Sequence, residues 1–253
     1  MLGRDKDPRL ANDIGYINLF FRKLIWSVVT IPGLRILTKI IFPKSTISSF
    51  KTNKRIVAFT IDDGFCGLDN PDGCLLDKVR KLFKKYNATA TFFVTGTHCK
   101  HTKSKHVTDL LEDGHEIANH NMMDWPYTNY SEIEFKNDLE KTENVFSQFH
   151  IKPSRWYRAP FGRINKNMQK VLDKKKLQHI VCDCFANDTT IPDAKWISNF
   201  ILKRVRPGSI VLIHMPEKNV REWNYNALKL TLSGLQKKGI KIVNLSEMKI
   251  LCA

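Results

Sequence analysis

Two adjacent carboxylates, Asp62 and Asp63, stand directly behind an apolar run, Arg55-Ile56-Val57-Ala58-Phe59-Thr60-Ile61, and directly before Gly64, which lets the chain turn away. Short side chains at a strand end are held rigidly, and two carboxylates this close repel unless a cation or a proton intervenes. One can then ligate a divalent metal while the other takes a proton. Alone, the tripeptide is also an ordinary solvated turn. A second segment, Gly114 to Pro126, offers His120 and Asp124 four residues apart. On a helical turn both project from one face and can share an ion, although such a pair is also a common surface hydrogen bond. With Asp63 they form a three-ligand set that leaves positions open for water and substrate, as catalytic zinc requires. Arg158, opening Arg158-Ala159-Pro160-Phe161-Gly162, would hold an aspartate base ionised and oriented, its alternative being a surface ion pair. His214 closes the buried-type run Ile210-Val211-Leu212-Ile213 and could protonate a leaving amine, its alternative being a hydrogen-bonded core histidine. His98, His101 and His106 form another cluster, whose Lys-rich, turn-like setting reads as a solvated loop.

These residues need a scaffold. After Phe50, short β-branched or aromatic runs alternate with patterns of 3.6-residue period. Seven strands are expected near 56–61, 89–95, 115–119, 155–158, 178–183, 209–213 and 240–244. Leu75, Leu76, Val79, Leu82, Phe83 and Tyr86 form one helical stripe, and Ile133, Leu139, Val145, Phe146 and Phe149 a second. Pro192-Asp193 suits a third helix start, and Gly239 the stop of the last helix. Such alternation implies an α/β fold with a parallel sheet, open or closed as a barrel. In a barrel the chemistry sits at the C-terminal strand ends, where Asp62, Asp63, His120, Arg158, Asp183 and His214 all fall.

The division expected is an apolar and basic arm over 1–50 and one catalytic domain over 51–253. From Tyr16 to Phe42 the arm is apolar but interrupted by Arg22, Lys23, Arg35 and Lys39, and broken at Pro32-Gly33. Its longest uncharged run is too short to span a bilayer, and no clear signal-peptide cleavage site follows. It reads either as a helical arm packed on the domain or as peripheral membrane contact by residues 16–42. The chain has 253 residues, 42% hydrophobic and 26% charged, which excludes large-scale disorder. Its formal charge of +16 is spread over helices with few interleaved aromatics, so no specific nucleic-acid partner is expected. The six cysteines show no CxxC spacing, and Cys182 and Cys184 should pack on one face of a strand. Sequons at Asn87, Asn129, Asn187 and Asn244 carry little weight, since such tripeptides arise by chance.

In order and spacing the chain resembles the NodB-type polysaccharide deacetylases, carbohydrate esterase family four. The likeness covers roughly residues 53 to 246, through Thr60-Ile61-Asp62-Asp63-Gly64, Ala90-Thr91-Phe92-Phe93-Val94-Thr95-Gly96, Gly114-His115-Glu116-Ile117-Ala118-Asn119-His120, Arg158-Ala159-Pro160-Phe161-Gly162 and Gly208-Ser209-Ile210-Val211-Leu212-Ile213-His214. The resemblance implies a distorted (β/α)7-type barrel and a metal-dependent hydrolase removing N-acetyl groups from a glycan with N-acetylglucosamine units. It implies Asp62 as general base, Asp63 and His120 as metal ligands, Arg158 steadying the base, the Phe161 backbone N–H at the oxyanion and His214 as general acid. Asp188 matches the acid that tunes that histidine, with Asp183 as rival. Two departures stand out. Asp124 replaces the usual second histidine ligand, which cancels the charge of a bound Zn²⁺ and makes oxygen-favouring metals more competitive. Thr189 replaces an aromatic of the sugar-stacking wall. The expected cofactor is one divalent metal, Zn²⁺ first. The alternatives are an O-acetyl esterase and a catalytically silent carbohydrate-binding barrel.

Overall fold

A computed structural model of the chain describes residues 15–31, 33–67 and 70–252; the expected break at Pro32 and the first part of the arm lie outside them. Strand β1 (Ile56–Gly64) is buried along its whole length and divides its side chains between two cores. Val57, Phe59 and Ile61 pack with the helices, whereas Ile56 and Ala58 pack inside the curl of the sheet with Phe93, Ala118, Trp156 and Ile180. This follows from the two-residue period of a strand, and it places the even-numbered side chains Thr60 and Asp62 on the interior face.

The other strands are β2 (Thr91–Val94), β3 (Glu116–Asn119), β4 (Trp156–Tyr157), β5 (Gln178–His179), β6 (Cys184–Phe185), β7 (Ile210–His214) and β8 (Lys241–Val243). All pair in parallel, in the order β5-β4-β3-β2-β1-β7-β6, and β8 pairs with β1 off that path. The result is the expected α/β class, a parallel sheet curled into a half-barrel. Residues 47 to 50 cross from the β5 edge to the start of β7: Ile47 N–H donates to His179 O, and Phe50 N–H to Gly208 O.

Nine helices surround the sheet among the described residues: α1 (Tyr16–Val29), α2 (Leu34–Ile41), α3 (Leu76–Lys85), α4 (Ser104–Glu112), α5 (Glu132–Gln148), α6 (Lys166–Lys174), α7 (Ala194–Arg204), α8 (Trp223–Lys237) and α9 (Leu245–Cys252). Asp193 caps α7 by accepting from Trp196 N–H, as Pro192-Asp193 suggests. Ser131 and Glu134 form a capping box that starts α5.

Several expectations change. The run 178–183 is not one strand, because the Asp183 carboxylate accepts from Ile210 N–H and from Arg35 and pins the chain between β5 and β6. Cys182 therefore packs with the interior core and Cys184 with the outer one, not on a common face. On α5 the buried face runs through Phe135, Asp138, Leu139, Thr142 and Phe146, leaving Ile133 72% exposed. Gly239, at φ 63°, follows α8, but α9 comes after it. The arm forms α1 and α2, tied to the domain by Lys23 on Asp193 (2.6 Å) and Arg35 on Asp183 (2.5 Å). Neither helix is long and apolar enough to cross a membrane by itself.

Candidate active site

In a regular strand Asp62 and Asp63 would face opposite sides of the sheet. They do not, because β1 bulges between them. From Ile61 to Gly64 it advances three residues while β2 advances two, Phe92 to Val94, and Asp63 takes φ 59°. The extra residue swings Asp63 into the mouth beside Asp62, and both are 4% exposed. Asp62 Oδ1 accepts from Arg158 Nη1 at 2.5 Å, and the same nitrogen donates to Thr60 Oγ1 at 3.0 Å. The guanidinium lies 4.2 Å from the centre of the Phe93 ring, so the arginine is clamped by packing as well as by charge.

His120 follows β3. Its Nδ1–H donates to Arg158 O at 2.7 Å; a carbonyl can only accept, so the Nε2 lone pair is left pointing into the site. Asp63 Oδ1 lies 3.7 Å from that nitrogen, is buried and has no hydrogen-bond partner. Ligand atoms of Asp63, His120 and Asp124 all lie within 4.8 Å of one another. An orphaned buried carboxylate oxygen facing an imidazole lone pair and a second carboxylate fits a divalent cation. One expectation fails in detail: residues 120 to 124 form a bent loop with Asn121 at φ 65°, not a helical turn. The loop is held from below by α5, where the Asp138 carboxylate accepts from Asn121 Nδ2 (2.7 Å), Met122 N–H (3.0 Å) and Tyr127 Oη–H (3.0 Å).

The general-acid candidate follows the same logic. His214 ends β7, its Nδ1 lies 2.9 Å from Asp188 Oδ1, and Asp188 Oδ2 accepts from His214 N–H (2.8 Å) and Asn224 Nδ2 (2.7 Å). Burial pushes the His214 pKa down, but the carboxylates of Asp188, chiefly, and Asp63 outweigh this and raise it above the ordinary histidine value. The rival Asp183 lies elsewhere. It meets the first residue of β7, at the end of the barrel opposite His214. Phe161 sits at φ 58° between Pro160 and Gly162 and is 53% exposed. Together with Asp63, Asn121 and Asn187 (φ 52°), it makes four left-handed non-glycine residues in the segments that carry the site. Such backbone costs about 1–3 kcal/mol per residue and gathers where geometry is imposed by function.

Three participants have no signal in the motifs. Arg221, in the loop before α8, places Nη1 2.6 Å from Asp63 Oδ2. Burial would raise the Asp63 pKa, but Arg221, His214 and His120 outweigh it and hold the carboxyl well below its usual range. Asp138 lies inside a helix that reads only as amphipathic. His98, expected in a solvated loop, is instead 5% exposed and donates from Nδ1 to Asp63 O at 3.1 Å. A disulfide, Cys66–Cys74, ties the segment leaving the acid pair to the start of α3.

The family model for polysaccharide deacetylases matches residues 50–180, just over half of the chain. The chain belongs to this family. A peptidoglycan-N-acetylglucosamine deacetylase of Bacillus cereus is 31% identical over 198 residues, covering 78% of this chain and 89% of that protein. A solved peptidoglycan N-acetylglucosamine deacetylase superposes with a TM-score of 0.71 at 25% identity, over 81% of this chain and 92% of that one. A family-four pseudoenzyme from Bacillus anthracis superposes nearly as well, with a TM-score of 0.70 at 22% identity over 82% and 69% of the two chains. At that identity the likeness speaks to the polysaccharide deacetylase fold alone.

Proposed function

We propose that this polysaccharide deacetylase is an active hydrolase that removes N-acetyl groups from N-acetylglucosamine units of a glycan of the peptidoglycan or chitin kind, with one divalent metal, Zn²⁺ first. The observation that carries the reading is the orphaned Asp63 Oδ1, buried against the His120 lone pair and Asp124, with a clamped carboxylate and a polarised histidine on either side. Asp63, His120 and Asp124 would hold a divalent cation, which would supply Lewis-acid chemistry to the water and the acetyl carbonyl. Asp62 accepts a proton from the attacking water, and the Arg158 ion pair holds its carboxylate in place. The Phe161 backbone N–H, in a left-handed turn, would donate to the oxyanion as the carbonyl becomes tetrahedral. His214, whose pKa Asp188 raises, gives its proton to the departing nitrogen, so that acetate and a free amine leave. Trp125, 43% exposed next to Asp124, and the exposed Phe161 offer the flat apolar faces on which sugar rings stack.

Acetate release from N-acetylglucosamine oligomers and bound metal, measured together, test the proposal. Asp62→Asn should keep its metal and lose about 10²- to 10⁴-fold in turnover. A second reading, a barrel that binds glycan without hydrolysing it, is favoured by Arg221, whose guanidinium already neutralises Asp63. Glycan binding with neither metal uptake nor acetate release, on N-acetyl or O-acetyl substrates, would establish it.

A further inference from the structure

Helices α1 and α2 turn their polar side chains inward and their apolar ones outward, the reverse of an ordinary surface helix. Arg22 donates to Thr190 O, Lys23 pairs with Asp193, and Arg35 pairs with Asp183 and donates to Ser209 Oγ. Trp26 donates to Phe185 O and packs edge-on against that ring. Three of the four cations that interrupt the apolar pattern, Arg22, Lys23 and Arg35, are thus spent on the domain. Twelve large apolar side chains between residues 16 and 41 are at least 46% exposed, among them Ile17 (76%), Phe20 (60%), Ile25 (60%), Ile31 (75%) and Ile40 (75%). The rest of the described chain has only six exposed large apolar residues, so this is one concentrated patch.

We propose that residues 16–41 form a docking surface for an anionic lipid bilayer. A second copy of the chain is disfavoured as occupant because each copy carries a formal charge of +16, which repels its like and attracts anionic headgroups. Lys39 and Lys44, exposed at the end of α2 and just beyond it, stand beside the apolar patch where headgroups would meet them. The two helices meet at a 70° bend and neither is long enough to span, which is the shape of an elbow lying in the interface. The arm's contact also lies near the site. The Phe185 ring centre lies 5.5 Å from that of Trp26 and 5.7 Å from that of His214, and Thr190 and Asp193 follow Asp188 in the chain.

Co-sedimentation of the full chain with phosphatidylcholine vesicles, with and without phosphatidylglycerol, tests the proposal. The parent should pellet with the anionic vesicles, and the triple variant Phe20→Ser, Ile25→Ser, Ile40→Ser should bind at least about tenfold more weakly, with unchanged circular dichroism and melting. Lys39→Glu with Lys44→Glu should also weaken the anionic binding. Failure of the parent to pellet would overturn the idea, and so would equal binding by the triple variant, which would assign the attraction to the barrel's charge alone. Sedimentation equilibrium covers the remaining occupant: a dimer that the triple variant dissolves, without vesicle binding, would mean that a second copy covers this face.

Discussion

At the proposed metal site, Arg221 would restore the charge that Asp124 cancels. Two carboxylates and one neutral imidazole around a divalent cation sum to zero, whereas one carboxylate and two imidazoles leave +1. With its Nη1 2.6 Å from Asp63, Arg221 would bring the local sum around a bound cation back to +1. Replacing it with Met should therefore tighten metal binding by about tenfold or more, while Arg221→Lys stays near the parent, as read by competition with a chromophoric chelator. Equal affinities in all three proteins would remove Arg221 from any electrostatic role. Asp188 acts on the other side of the mouth. Because it raises the His214 pKa against the effect of burial, the acid form persists to higher pH than in a free histidine. Asp188→Asn should lower that pKa and move the alkaline limb of the kcat/KM profile to lower pH; an unmoved limb would show that His214 is not the proton donor.

At the level of elements, the site depends on helix α5 as much as on any strand end. The bent loop carrying His120 and Asp124 has no regular hydrogen bonding of its own, and Asp138, 9% exposed, receives three of its donors. Asp138→Leu strands those donors in the interior, at a cost of about 3 kcal/mol or more. Urea unfolding should register that loss, and metal affinity should fall with it although no ligand has been touched. A variant as stable as the parent would mean that the loop holds its shape without α5.

Over the whole molecule, two buried histidines tie stability to pH. His115 is wedged between the rings of Phe83 and Phe92 and accepts from Ala90 N–H, and burial lowers its pKa to about 4. His179, hydrogen-bonded to Thr46, is lowered to about 3 by burial, with Arg158 and His120 adding to it. Both are neutral when folded, while the unfolded chain protonates them near 6.5. Their contribution to stability is therefore full above pH 6.5 and falls as pH drops, by about 1.4 kcal/mol per pH unit for each histidine until its folded pKa is reached. Melting temperatures at pH 7 and pH 5 check this, with a flat profile as the contrary result.

The acid pair, the histidines at 120 and 214, Arg158 and the strand–helix alternation are all legible in the chain, because each is written in consecutive residues whose period or spacing reports local geometry. The turning of Asp63, the supports from Asp138 and His98, and the charge from Arg221 are not, since they arise where segments distant in sequence meet. Asp183 and Asp188 make the difference concrete. Five residues apart, either could follow a strand and serve the histidine. Only the parallel pairing of β6 with β7 sends one to Ile210, where β7 begins, and the other to His214, where it ends. A carboxylate's role in this barrel is set by which end of the neighbouring strand it reaches, and that is decided by register, not by residue type.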